Sequence, residues 1–272
     1  RGRLSPTAQQ AGSRLMCLLV AAYDFHPAYR LVLAGHRDEF HARPAAPLDW
    51  WPDAPDLLAG RDLEAGGTWL GLHRRGRLAV LTNFRGEGSL RPDAPSRGLL
   101  IPAFLARNQS AQAFARWLTG SAADYSGFNM LAFDGTTLEY VANKPEPVSR
   151  PLPPGLYGLS NHLLDTPWPK VVRTRERVRA ALAGARVSTT MLFAALQDRE
   201  PAADADLPST GLDPGLERLV SAPFIVNRDY GTRCTTVVLV DREGLVRAEE
   251  RRYSPDGETT GRTTIAFHTT RT

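Results

Sequence analysis

The chain has 272 residues, 42% hydrophobic and 23% charged, the proportions of an ordinary globular protein with enough apolar material for a sizeable core. Its net charge of +4 owes three units to Arg1, Arg3 and Arg14, ahead of Met16; removing these from the 33 basic residues leaves 30 against 29 acidic ones. No run combines clustered arginines with stacking aromatics, which argues against nucleic acid, and no apolar stretch near the start approaches a bilayer span, which argues against membrane insertion.

Residues 1–16 read as a tag, an upstream extension or a disordered leader, set apart from a single domain over 17–270. The pattern changes abruptly at Met16-Cys17-Leu18-Leu19-Val20. Residues 17–23 and 29–35 predict two strands, joined through the turn chemistry of Asp24-Phe25-His26-Pro27. A hairpin with Tyr23 opposite Tyr29 sets Cys17 opposite Gly35 and brings His36, Arg37 and Asp38 out beside Cys17. From 42 to 60, Pro44, Pro47, Pro52 and Pro55 predict a long loop carrying Trp50 and Trp51, suited to a lid. Strands follow over 68–72 and 78–82, the second ending at Asn83.

Ala111, Phe114, Ala115 and Leu118 form one helical stripe over 110–118. Strands over 129–133 and 138–141 flank a turn at 134–136. A proline-rich linker, 145–154, leads to a strand over 156–160 and then Asn161. Pro167 opens a second helix, a third spans 188–196, and 199–215 reads as an exposed loop. Strands over 235–240, 245–252 and 263–267 close the chain. This order, strands then helices then strands with hairpin-like connections, predicts an α+β fold with antiparallel sheets layered with helices.

The two cysteines, Cys17 and Cys234, match neither a disulfide framework nor a zinc motif, and imply a reducing cytoplasm. If translation starts at Met16, trimming of that methionine exposes Cys17 as residue one. A thiol there has its own α-amine a few ångströms away as a proton acceptor near neutrality. Arg37 nearby would favour the thiolate. Elsewhere, a cysteine heading an apolar strand is a small buried hydrophobe. His36, Asp38, Glu39 and His41 do not have metal-ligand spacing, and alternation along a strand splits the acids between faces, so no metal is expected.

Met16-Cys17, Gly35-His36-Arg37-Asp38-Glu39, Gly66-Gly67-Thr68-Trp69-Leu70-Gly71, Leu81-Thr82-Asn83-Phe84-Arg85, Gly158-Leu159-Ser160-Asn161, Thr166-Pro167-Trp168-Pro169-Lys170 and Gly231-Thr232-Arg233 together resemble the NRDE family, also known as the transport and Golgi organisation 2 family, over 17–270. His36 stands where that family's name motif has asparagine; Asn227-Arg228-Asp229 is a second, separate occurrence of most of the motif. The family is in turn similar to N-terminal-nucleophile hydrolases such as bile-salt hydrolases and penicillin acylases. That resemblance implies a four-layer αββα sandwich. It also implies Cys17 as nucleophile, Arg37 and Asp38 as its supports, and Asn83 and Asn161 as donors to the oxyanion. Arg228 or Arg233 would be a late arginine near the nucleophile. Taken singly, each asparagine is an ordinary turn residue and Arg37-Asp38 an ordinary ion pair.

Two functions follow from the resemblance. One is an amidohydrolase acting on a linear carbon–nitrogen bond of a small-molecule substrate, with no cofactor required. The other is a non-catalytic protein that binds haem or a lipid-related ligand on the same scaffold, with His36 the histidine nearest the presumed site.

Overall fold

The computed structural model describes residues 17–86 and 88–270, so the expected leader over 1–16 lies outside the described residues. The chain forms two sheets with antiparallel pairing throughout. The six-stranded sheet runs in the order β10 (Gly155–Leu159), β1 (Cys17–His26), β2 (Tyr29–Phe40), β11 (Tyr230–Asp241), β12 (Leu245–Tyr253), β13 (Thr259–His268). The seven-stranded sheet runs β3 (Ala45–Trp51), β4 (Ala54–Asp62), β5 (Leu70–His73), β6 (Leu78–Asn83), β7 (Phe128–Phe133), β8 (Leu138–Ala142), β9 (Val148–Pro151).

Alternation along each strand assigns the layers. Leu19, Ala21, Leu31, Leu33 and Val238 from one sheet meet Leu58, Leu72, Val80, Leu131 and Phe133 from the other in a shared core. The alternate residues Val20, Ala22, Val32, Ala34 and Val237 face outward, beneath α3 (Pro169–Ala181) and α4 (Thr189–Ala195). On the far side, Ala79, Leu81, Met130 and Ala132 lie beneath α1 (Leu100–Leu105) and α2 (Ala111–Gly120). Central strands buried on both faces read as continuous apolar runs, which is why β1 begins Cys-Leu-Leu-Val-Ala-Ala. The result is a four-layer αββα sandwich of antiparallel sheets, the layering that the resemblance implied.

Several local expectations are corrected. Cys17 pairs with Arg37, and Tyr23 with Leu31, because the ladder is irregular between Tyr23 and His26 and the strands run on to His26. The register therefore differs by two residues from the simple hairpin, an even shift that keeps every side chain on its expected face. The proline-rich 42–60 segment is no lid but the β3–β4 hairpin. Pro47 sits in an irregular stretch of an edge strand, Pro52 in the turn, and Pro55 between the Trp50–Leu58 and Trp51–Ala54 pairs, where the register also shifts. Trp51 is buried and donates to the Ala59 carbonyl at 3.1 Å, while Trp50 packs edge-on against Phe267. The 145–154 linker contains β9, and α5 (Pro214–Val220) begins inside the expected 199–215 loop, with Asp213 capping it. No helix among the described residues is long and apolar enough to cross a membrane.

Candidate functional site

At one end of the six-stranded sheet, Cys17, Arg37 and Cys234 lie side by side on β1, β2 and β11. Directly paired residues share a face, and this row faces the opposing sheet. Leu18, His36 and Thr235 form the adjacent row, on the other face. His36 therefore does not emerge beside Cys17. It is fully buried, with Nδ1 against the Thr235 hydroxyl and Nε2 donating to the Leu196 carbonyl, both at 2.9 Å. Burial pushes its pKa down to about 4, so the ring is neutral.

The row opens onto a cleft of about 910 Å³ between the ends of the sheets. Cys17, Arg37, Asp38, Asn83 and Arg233 all line it. Asp38 owes its placement to the β2–β11 ladder, which is irregular between Thr232 and Cys234 and leaves Arg233 as an extra residue. Thr232 Oγ1 donates to Asp38 Oδ1 at 2.7 Å, while Oδ2, equally buried, has no hydrogen-bond partner among the described residues. Burial raises the Asp38 pKa, against the Thr232 hydrogen bond and the charges of Lys170 and Arg37.

The Cys17 thiol is pushed up to about 12, first by burial and then by the Asp38 charge; the Asp38 backbone N–H and the Arg37 charge only partly offset these. Arg37 does favour the thiolate, as expected, but burial and the Asp38 charge outweigh it; its guanidinium also lies near Asp62 (3.4 Å) and Glu39 (3.8 Å). Cys234 is also buried, with its pKa raised by the same cause.

Asn83 ends β6 on the opposite wall of the cleft. Asn161 stands behind it: its Nδ2 donates to the Asn83 carbonyl at 2.8 Å, and its own carbonyl accepts from the Arg85 N–H at 2.7 Å. Fully buried and absent from the cleft wall, Asn161 holds Asn83 in place. Ser160 Oγ joins this group to β1 by donating to the Cys17 carbonyl at 2.8 Å. Between the two late arginines the geometry decides clearly. Arg228 is exposed and away from the cleft, whereas Arg233 lines it, with Nη1 donating to the Phe40 (2.6 Å) and Arg43 (2.9 Å) carbonyls.

Two charged residues here were not singled out from the sequence. Lys170 is buried, donates to the Val220 carbonyl at 3.1 Å, and has its pKa lowered by burial and by Arg85, against the charges of Asp38 and Cys17. Lysine occurs only at 144 and 170 in a chain otherwise rich in arginine, a signal that pointed to it. Arg97 lines the cleft from the short 3-10 turn Arg97–Leu99 that leads into α1, and no local pattern marks it. Among the described residues, no group of three or more His, Cys, Asp or Glu is arranged to hold a metal ion.

A sequence model of the Transport and Golgi organisation 2 family matches residues 16–255. The Transport and Golgi organization 2 homolog of Mus musculus is 36% identical over 260 residues, covering 87% of this chain and 92% of its own. Among solved structures, a mutant conjugated bile acid hydrolase from Clostridium perfringens is similar with TM-score 0.45 and 9% identity, covering 92% of each chain. The Caenorhabditis elegans N-acylethanolamine-hydrolyzing acid amidase ortholog is similar with TM-score 0.41 and 11% identity, covering 82% of this chain and 92% of that one.

Proposed function

The chain belongs to the Transport and Golgi organisation 2 family, and from that premise we propose that it is an N-terminal-nucleophile amidohydrolase once Cys17 is its first residue. The observation that carries this reading is the meeting of Cys17, Arg37, Asp38 and Asn83, from three strands of two sheets, on the wall of one cleft. In this chain the Cys17 nitrogen belongs to a peptide bond and cannot accept a proton. A free α-amine at that position would give the buried thiol a base, and Asp38 Oδ2 is an unanswered acceptor close by for the ammonium that forms.

In the proposed reaction Cys17 Sγ attacks the amide carbonyl and its proton passes to the α-amine. Asn83 donates to the oxygen that gains charge, Asn161 fixes Asn83, and the carbon–nitrogen bond breaks as the leaving amine takes the proton. Water then attacks the thioester, releasing the acid and restoring the thiol. The test compares protein beginning at Cys17 with the 272-residue chain against a thiol-directed acylating probe. Labelling of the trimmed form alone, abolished by Cys17→Ala, is expected; equal labelling of both forms would remove the α-amine from the mechanism.

The high thiol pKa in the extended chain favours a second reading for that form: a binding protein that uses the same cleft without turnover, for haem or a lipid-related ligand. His36 cannot serve as a haem ligand without giving up one of its two hydrogen bonds, and no histidine is among the described residues of the cleft wall. Titration with haem, read as a saturable Soret shift, separates this reading from the first.

A further inference from the structure

The charges lining the cleft are unevenly matched. Seven arginines and five acids contribute to its wall. Asp62 is held by Arg43 at 2.6 Å and Arg37 at 3.4 Å, Glu64 by Arg43 at 2.8 Å, and Glu250 by Arg252 at 3.2 Å. Glu39 lies 3.8 Å from Arg37, and Arg61 pairs outside the cleft with Asp53 at 2.7 Å. Arg91, Arg97 and Arg233 are left with no carboxylate within salt-bridge distance among the described residues, and of these Arg91 is exposed. Arg233 is fixed by two backbone carbonyls. The Arg97 guanidinium spends one nitrogen, Nη1, on the Gly127 carbonyl at 2.8 Å and makes no other hydrogen bond among the described residues.

Arg97 is also built into place. The loop that carries it is clasped by the Gly66-Gly67-Thr68-Trp69 segment: the Thr68 N–H donates to the Gly98 carbonyl at 3.1 Å. A Cβ on Gly67 would come within 2.5 Å of the Gly98 carbonyl carbon, so only glycine permits this approach. Burial lowers the Arg97 pKa to about 10, and the charges acting against that shift are Cys17 and then Glu39, which places its guanidinium within electrostatic reach of the thiol. An arginine held partly out of water, near a nucleophile and without an acid, is a ready partner for a carboxylate, whose two oxygens match the guanidinium fork. Trp69, Leu81 and Pro95 on the same wall supply an apolar flank for the remainder of a ligand.

We infer that the cleft takes an amide that carries a carboxylate, with Arg97 binding that carboxylate and Arg233 adding to the positive field. The word substrate rests on the amidase reading of the same cleft; the binding does not.

The experiment therefore reads binding and turnover separately. Calorimetry with the 272-residue Cys17→Ala chain compares N-dodecanoylglycine with its neutral isostere, N-dodecanoylglycinamide. A preference of about 10- to 100-fold for the acid is expected, the span of one charge-assisted hydrogen bond. Arg97→Gln should erase that preference by bringing the affinity for the acid down to that for the neutral amide, with an unchanged circular dichroism spectrum showing that the variant is folded. Arg97→Lys, keeping the charge without the fork, should fall between. Equal affinities for acid and amide, no binding of either, or a preference untouched by Arg97→Gln would overturn the inference. So would tighter binding of a phosphomonoester analogue than of the carboxylate. If the acid binds through Arg97 but protein beginning at Cys17 leaves its amide bond intact, the amidase reading fails and the carboxylate site stands.

Discussion

The two faces of the six-stranded sheet at its Cys17 end carry titratable side chains one residue apart, and they treat them in opposite ways. On the helix-covered face, His36 is buried with both ring nitrogens bonded and an aromatic edge against Phe224. On the cleft face, the Cys17 thiol is buried without a base, Asp38 has an oxygen without a partner, and Arg37 is one of several arginines competing for acids. Complete satisfaction marks a structural polar group; a buried group left wanting marks a place where something else is to bind or react. The comparison can be broken by showing that the cleft face is chemically idle or that the helix face is not.

The largest effect expected is on Cys17. In protein beginning at that residue, Cys17→Ala should abolish labelling by an acylating probe, and Cys17→Ser should leave weak activity at most, since a hydroxyl is a poorer nucleophile near neutral pH. Cys234, in the same row, should remain unlabelled, because burial raises its pKa and no amine adjoins it. Labelling at Cys234 instead would show that the row, rather than its first residue, is reactive.

Next comes the asparagine pair. Asn83→Ala should lower kcat by about 10²- to 10³-fold with little change in KM, as loss of one oxyanion donor does. Asn161→Ala removes the hold on Asn83 from behind, so it should lower both stability and kcat, the former by about 1–3 kcal/mol for an acceptor left unsatisfied in the interior. Steady-state kinetics and urea unfolding on the same preparations separate the two roles. An Asn161 variant with native stability and a much larger loss of kcat than Asn83→Ala would reverse them.

The helix face makes its own prediction, in pH. The His36 pKa is about 4 when folded against 6.5 when unfolded. Between those values the unfolded chain binds more protons, so the contribution of neutral His36 is fully present above pH 6.5 and is lost as pH falls toward 4. The whole contribution is on the order of 3 kcal/mol. Asp38, with its pKa raised, acts in the opposite sense, so the readout is the difference between the wild type and His36→Gln. That difference should shrink as pH drops from 7.5 to 4.5 in urea titrations, while probe labelling of the trimmed protein stays within about 2-fold, well under 1 kcal/mol. A collapse of labelling would make His36 part of the site.

Much of this arrangement was legible because the physics is local. Alternation through Leu19, Ala21, Leu31 and Leu33 defines the core strands, and the helical stripe of Ala111, Phe114, Ala115 and Leu118 defines α2. The same alternation already separated His36 from Arg37, yet proximity in sequence suggested that both would adjoin Cys17. What could not be read depends on long-range geometry. Proline in the 42–60 segment argues against regular strands but is accommodated where the register shifts, at Pro47 in the edge strand β3 and at Pro55 near the start of β4, and those places are settled by the whole sheet. Arg97 reaches the cleft only because Gly67 and Gly98 meet in space, and Arg233 is distinguished from Arg228 by its place at the bulge of β11, Arg228 standing exposed ahead of that strand.

The smallest effect expected concerns how the two sheets are fixed to each other at the cleft. Tyr140 Oη donates to Asn129 Oδ1 (2.8 Å), Asn129 Nδ2 to Thr82 Oγ1 (3.2 Å), and Thr82 Oγ1 to the Ser160 carbonyl (2.6 Å); Ser160 Oγ then reaches the Cys17 carbonyl. This buried chain of bonds ties the end of β6, where Asn83 stands, to the start of β1, where Cys17 stands, and so sets the separation of the proposed nucleophile and the proposed oxyanion donor. Ser160→Ala and Thr82→Val should each cost about 1 kcal/mol of stability, the net worth of a typical buried hydrogen bond. Because both bonds run through Ser160, the double variant should lose less than the sum, with a coupling of about 0.5 kcal/mol or more. The kinetic signature differs from simple destabilisation. At a temperature where all variants are folded, acylation of Cys17 in the trimmed protein should slow several-fold, because reacting atoms held slightly out of line lose rate steeply. Additive stabilities with unchanged acylation would mean that the chain of bonds fills the core without positioning the site.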